Sequence, residues 1–266
     1  MAPGKRLKLQ KLIPTAKLGF ALVHCAIAIL TSSPSIAGDG KTKPLSEVTY
    51  QVSGTLYQSD FSKDDLDQKP WALQHGAWEI KNGTLAGNTN AEDNHEASLS
   101  LMLEVPLELH VSLDFTLGKG ETFAVCFIGH SGPHGRIMIH ENEAYIWMKA
   151  GDSGDARVID YLPVELKPGE TYHLSFLRSG DQLVATIGDH YQLAGRHPKF
   201  THPKKRINFT TDSAKTRFDN LKVETITDVE AAPELFTRPS YTLSEFWDMR
   251  EAKHGLLREV PDKKKQ

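Results

Sequence analysis

A chain of 266 residues, 39% hydrophobic and with a formal net charge of −3, is long enough for one large sandwich or two small domains. The acidic balance argues against a nucleic-acid partner. The two cysteines are Cys25 and Cys126, and a framework of disulfides is excluded.

The first residues read as an export signal. Lys5, Arg6, Lys8, Lys11 and Lys17 form a basic segment, Leu18–Leu30 is a short apolar run, and Ser35-Ile36-Ala37 is a small-x-small cleavage site. An uncleaved anchor is the alternative, but the run is shorter than the ~18 residues of a spanning helix. Leu22-Val23-His24-Cys25 is a poor lipoprotein box, with His24 before the cysteine. Cleavage after residue 37 leaves 229 residues, beginning near Gly38. It removes five basic and no acidic residues, so the net charge falls to −8. Cys126 is then alone, inside the apolar run Phe123–Ile128, and reads as a buried, inert thiol. The expected location is periplasmic or extracellular, with no membrane span after cleavage.

Residues 38–47 read as a flexible leader, and Val48–Tyr57 as a first strand rich in β-branched and aromatic residues. After a polar loop to Pro70, Trp78 and Ile80 alternate with Glu79 and Lys81. Asn82-Gly83 supplies a two-residue turn, and Thr84–Gly87 returns. This spacing predicts a hairpin with Trp78 in the core. Residues 88–97 are a polar loop containing Asp93, His95 and Glu96. Ser98–Leu103 is a strand broken by Val105-Pro106.

Leu109–Leu117 alternates throughout: Leu109, Val111, Leu113, Phe115 and Leu117 face one way, and His110, Ser112, Asp114 and Thr116 the other. Thr122–His130 is almost wholly apolar, as a strand covered on both faces would be. Further strands are expected at 136–140, 144–148, 157–161, 171–178, 183–187, 206–210 and 216–224. Strands at about ten-residue spacing, without a long helical pattern, predict an all-β, two-sheet antiparallel jelly-roll sandwich over residues 48–226. Residues 227–266 read as a linker, a short amphipathic helix and the basic tail Lys263–Lys265. In the helix Leu243 and Trp247 stand four apart, with Ser244, Glu245, Phe246, Met249, Leu256 and Leu257 around them. Residues 233–258 would dock on the sandwich or on a protein partner.

Asp60-Phe61 ahead of a tryptophan, Trp78 followed by Asn82-Gly83-x-Leu85, the loop residue His95, and Phe218-Asp219-Asn220-Leu221-x-Val223 form an ordered set over residues 50–226. This set resembles exported bacterial domains with the concanavalin A-like, laminin G-like sandwich. In particular it resembles the 3-keto-disaccharide hydrolase type, related distantly to family 16 glycoside hydrolases. The resemblance implies a jelly roll with its terminal strands paired, and a carbohydrate as partner. It does not settle whether the domain is an enzyme. Family 16 enzymes carry Glu-x-Asp-x-Glu on a strand. Here the nearest string is Glu141-Asn142-Glu143, without the aspartate and at a turn.

The candidate residues follow. If the domain is an enzyme, His95 or Glu96 would be its acid or base, the alternative being a solvated loop. Arg136, His140, Tyr145 and Trp147 would form a substrate-binding platform if two strands pair in the register that puts them on one face. Otherwise Trp147 is core and Arg136 rim. Phe218-Asp219-Asn220 reads as core residues with local hydrogen bonds rather than a ligand loop. His130, His134 and His140 bracket one hairpin without a zinc-binding pattern, so no metal site is expected. No cofactor is expected either; Gly151–Asp155 could offer oxygens to calcium but needs none as a turn. The function expected is an exported carbohydrate-binding or glycoside-processing domain. The alternative is a non-catalytic structural or interaction module of the cell envelope.

Overall fold

The computed structural model describes residues 48–254, except 64–65, 67–68, 91–94, 130–131 and 149–155. The signal and leader, Asp93, His130, the Gly151–Asp155 turn, Leu256, Leu257 and the basic tail lie outside the described residues. Sixteen strands and one helix follow in chain order: β1 (Val48–Ser59), β2 (Trp71–His75), β3 (Ala77–Lys81), β4 (Thr84–Asn88), β5 (Ala97–Leu101), β6 (Leu109–Thr116), β7 (Phe123–Gly129), β8 (Gly132–Ile139), β9 (Glu143–Met148), β10 (Arg157–Pro163), β11 (Thr171–Ser179), β12 (Gln182–Ile187), β13 (Tyr191–Arg196), β14 (Arg206–Thr211), β15 (Arg217–Ala231), β16 (Tyr241–Thr242) and α1 (Leu243–His254).

They form two antiparallel sheets. Sheet A has the order β13-β12-β11-β6-β15-β4-β3, with β1 also paired to β15. Sheet B has the order β16-β10-β9-β8-β7-β14-β5-β2. The expected hairpin is present as β3 and β4, and Asn82 (φ 53°) and Gly83 (φ 72°) take the left-handed angles that a tight turn demands. β15 is longer than its sequence pattern suggested. It runs past residue 226 to Ala231, which pairs with Val48.

The core lies between the sheets because β6 and its neighbours turn one apolar face inward. Leu109, Val111, Leu113, Phe115 and Leu117 are all buried, as their alternation predicts. Opposite them stand Val125, Phe127, Ile137, Ile139, Ile146, Ile207 and Phe209 of sheet B. At one end an aromatic cluster closes the core: Phe209 stacks on Phe218 at 4.9 Å, and Phe61 meets Phe218 edge-on at 5.6 Å. Trp71 joins this cluster and donates from Nε1 to the Tyr57 hydroxyl at 3.1 Å.

Trp78 departs from expectation. It is half-buried at the rim, over Gly87 and 6.2 Å from the Phe218 ring, while Trp71 takes the core position. A Cβ on residue 87 would stand 2.7 Å from the indole, so this strand crossing requires glycine there.

β7 is covered on both faces, as its composition predicts. Cys126 is 3% exposed, and burial pushes its thiol up to about 12. In native protein, iodoacetamide at pH 8 should therefore leave Cys126 unmodified over an hour, while urea-unfolded protein alkylates fully there; peptide mapping reads the difference.

The C-terminal segment wraps from one sheet to the other. The turn Pro233–Phe236 lays Leu235 on Val184 and Ala194 of sheet A. Arg238 then pairs with the buried Asp160 at 2.9 Å and donates to the Gln192 carbonyl at 2.6 Å. Finally α1 places Phe246, 1% exposed, against Met138, Tyr145, Val158 and Tyr161 on the outer face of sheet B. Arg250 of α1 reaches Glu143, fully buried at the start of β9, at 2.5 and 3.1 Å.

Candidate functional site

The outer face of sheet B divides in two. α1 covers the half over β8, β9 and β10, and the half over β5, β7, β8 and β14 carries polar groups. On β7 the outward residues are the small Ala124 and Cys126, which pair with Met138 and Arg136 on one side and Thr210 and Asn208 on the other. Across that low strand Arg136 extends its side chain to β14, where Nη2 donates to Thr210 Oγ1 at 2.7 Å. The same nitrogen engages Glu96 Oε2. Beyond Thr210, Asn208 donates from Nδ2 to Ser98 Oγ at 2.9 Å and accepts from Ser100 Oγ at 2.8 Å.

These residues floor an open depression of about 440 Å³, lined by His75, His95, Glu96, Ser98, Arg136 and Thr210. β2 at the sheet edge brings His75 to His95, with ring centroids 4.8 Å apart. Arg136 is largely buried, and its Nε has no hydrogen-bond partner in the protein. The depression thus offers planar donors, a carboxylate acceptor, hydroxyls and two imidazole faces.

His95, Glu96 and Arg136 therefore converge. Arg136 pairs directly with Trp147, and Met138 with Tyr145, so Tyr145 and Trp147 share Arg136's face. His140 follows them there and stacks on Tyr145 at 5.8 Å. Two of the four platform residues are not open, however. Tyr145 lies under Phe246, 8% exposed, with ring centroids 5.1 Å apart. His140 is held in the protein by Thr122 Oγ1 at 3.2 Å, its Nε2 is buried without a partner, and burial, then the nearby Arg250 charge, lowers its pKa to about 4. Trp147 is half-buried beside α1. The open site is the Arg136–Glu96 end.

Among the described residues no three His, Cys, Asp or Glu side chains are placed to hold a metal ion. His134 packs edge-on to His202 at 5.5 Å, away from His140. Sequence reasoning missed His75 and Thr210. Their signal is weak, since each is one polar residue on an ordinary strand, and only the strand order brings them to Arg136.

No family model matches the chain, and no curated protein matches it in sequence. In structure it is similar to the CBM2 module of the evolved Dit protein of Lactobacillus casei BL23 phage J-1. That match has a TM-score of 0.52 and 13% identity, and covers 68% of this chain and 99% of that one. Two Bacillus subtilis proteins follow. One is a protein of unknown function with a galectin-like fold (TM-score 0.48, 12% identity, 67% and 99% covered). The other is the carbohydrate-binding module CBM66 (TM-score 0.46, 14% identity, 58% and 95% covered). The chain has the concanavalin A-like jelly-roll sandwich expected from its sequence.

Proposed function

We propose that this is an exported carbohydrate-binding sandwich whose site is the depression around Arg136. One observation carries the reading: a guanidinium and a carboxylate stand side by side on the floor of an open polar depression, with hydroxyls and imidazole faces around them. A sugar offers vicinal hydroxyls that both donate and accept, together with apolar ring faces. A planar donor next to a carboxylate answers the first, and the rings of His75 and His95 answer the second. The likeness to a carbohydrate-binding module supports this reading at the level of fold. Glu96 and His95 adjoin each other, Glu96 is engaged by Arg136, and among the described residues Glu96 is the carboxylate that lines the depression. The reading rests on binding, because the Glu96 carboxylate is held by the Arg136 guanidinium as a paired acceptor.

The experiment is a glycan array with the purified protein, followed by calorimetry on the best ligand. Arg136→Ala is expected to weaken binding at least tenfold, since hydrogen bonds to charged groups are worth about 1.5–3 kcal/mol. Its unfolding midpoint should change little, because Glu96 is partly solvated. A folded Arg136→Ala protein with unchanged affinity, or an array without a ligand, would reject the proposal.

A further inference from the structure

The other side of the sandwich carries a constellation independent of the Arg136 depression. Because Leu109, Val111, Leu113 and Phe115 of β6 face the core, His110, Ser112 and Asp114 face outward from sheet A. β11 and β15 flank β6. Ser175 lies directly across from Ser112, and Glu224 directly across from His110, so all four side chains leave the same face. Ser175 Oγ stands 2.8 Å from His110 Nε2, and Glu224 Oε2 stands 3.1 Å from His110 Nδ1. His110 and Glu224 are buried, and Ser175 is half-open. Lys222 pairs with the other Glu224 oxygen at 2.5 Å, and Tyr50 of β1 lies against the imidazole at 4.9 Å.

These contacts dictate the protons. The Glu224 carboxylate can only accept, so Nδ1 carries the hydrogen and Nε2 accepts from the Ser175 hydroxyl. Burial, the largest influence, lowers the His110 pKa and keeps the ring neutral. A serine hydroxyl bonded to an imidazole that a carboxylate orients is the arrangement of an activated nucleophile.

We infer that Ser175, His110 and Glu224 form an acyl-transfer centre for carboxylic esters, with Ser175 as nucleophile, His110 as general base and Glu224 as its positioning residue. Ser175 Oγ bonds to the ester carbonyl carbon while its proton passes to His110 Nε2. The tetrahedral oxyanion collapses, the bond to the alcohol oxygen breaks, and His110 returns the proton to the departing alkoxide. Water then adds to the acyl-serine, giving its proton to His110. The acyl–Oγ bond breaks, a carboxylic acid leaves, and Ser175 recovers its proton. Backbone N–H groups lie in the plane of a sheet, so the oxyanion is met by the Ser112 hydroxyl, across from Ser175. One missing donor of this kind costs about 10²–10³ in rate. Slow acylation by activated reagents is therefore the expected behaviour, rather than rapid turnover.

The test uses the full-length protein with a fluorophosphonate and, separately, p-nitrophenyl acetate, followed by intact mass and peptide mapping. One adduct is expected, on Ser175. It should be absent in Ser175→Ala, and about 10²–10⁴-fold slower to form in His110→Gln, the range for loss of a general base. Circular dichroism monitors folding of each variant. Should His110→Gln not fold, Ser175→Cys replaces it: the new thiol should react with iodoacetamide faster than a free cysteine at pH 7. No adduct, an adduct elsewhere, equal labelling of Ser175→Ala, a folded His110→Gln protein that labels at the native rate, or an unaccelerated thiol would each overturn the inference.

Discussion

Replacing Arg250 with alanine is expected to destabilise the protein by about 3–5 kcal/mol, the cost of leaving a buried charge without its partner. Glu143 is fully buried, and Arg250 meets both of its oxygens across the helix–sheet junction. The guanidinium also lies 5.0 Å over the ring of Trp247, one turn earlier in α1, so its loss removes a contact within the helix as well. Urea denaturation measures the loss directly. Arg250→Leu combined with Glu143→Met should recover most of it, because an apolar pair leaves no orphaned charge. A loss below about 1 kcal/mol in the single variant would mean that water reaches Glu143 and that α1 is only loosely seated. If α1 does loosen, Tyr145 and Trp147 become accessible beside the Arg136 depression, and glycan affinity in the folded fraction of Arg250→Ala would report whether that half of the face contributes.

Stability should also fall with acid through a window set by histidines whose pKa burial lowers, His110 and His197 among them. His134 and His140 both have pKa values lowered to about 4, in each case chiefly by burial; Lys204 adds to this at His134 and Arg250 at His140. In the unfolded chain they titrate near 6.5. Between those values the unfolded state binds the protons, so stability is whole above pH 6.5 and declines as pH falls toward 4. Each contributes up to about 3 kcal/mol at one pKa unit per 1.36 kcal/mol, and the half-buried His140 less. Asp160 acts in the opposite sense. Burial raises it to about 6, so from pH 6 down to about 4 it favours the folded state and offsets part of the loss. Urea midpoints from pH 7 to 4 should therefore fall in native protein, and His134→Gln should flatten the decline. An equal decline in that variant would place the acid sensitivity elsewhere.

Much of the fold could be read from the chain because its signals are local. The alternation of β6 and the Asn82-Gly83 turn each involve residues within a few positions of one another, and both stand as expected. β13 was missed, since Tyr-Gln-Leu-Ala-Gly-Arg has little β-branched character and is a strand only because β12 supplies its partner. The site was legible in half. Arg136 and Trp147 share a face through a three-residue turn, within the reach of period-two reasoning. Thr210 reaches Arg136 only because the sheet runs β8-β7-β14-β5, a long-range order that no local pattern encodes. Phe246 over Tyr145 was hidden for a related reason. α1 is only weakly amphipathic, and its seat is decided by the apolar side chains that sheet B leaves uncovered.

The pairing of Val48 with Ala231 bears on how the chain reaches this state. Among the described residues the first strand to leave the ribosome has its hydrogen-bonding partner at the far end of the domain, with some 180 residues still to be made. Until β15 arrives, β1 is an unprotected ribbon with its donors and acceptors free to pair wrongly. A topology with so much of its pairing between distant segments folds slowly. Completion of the sandwich therefore waits until Ala231 has left the ribosome, and β1 stays open to wrong pairing for all of that interval.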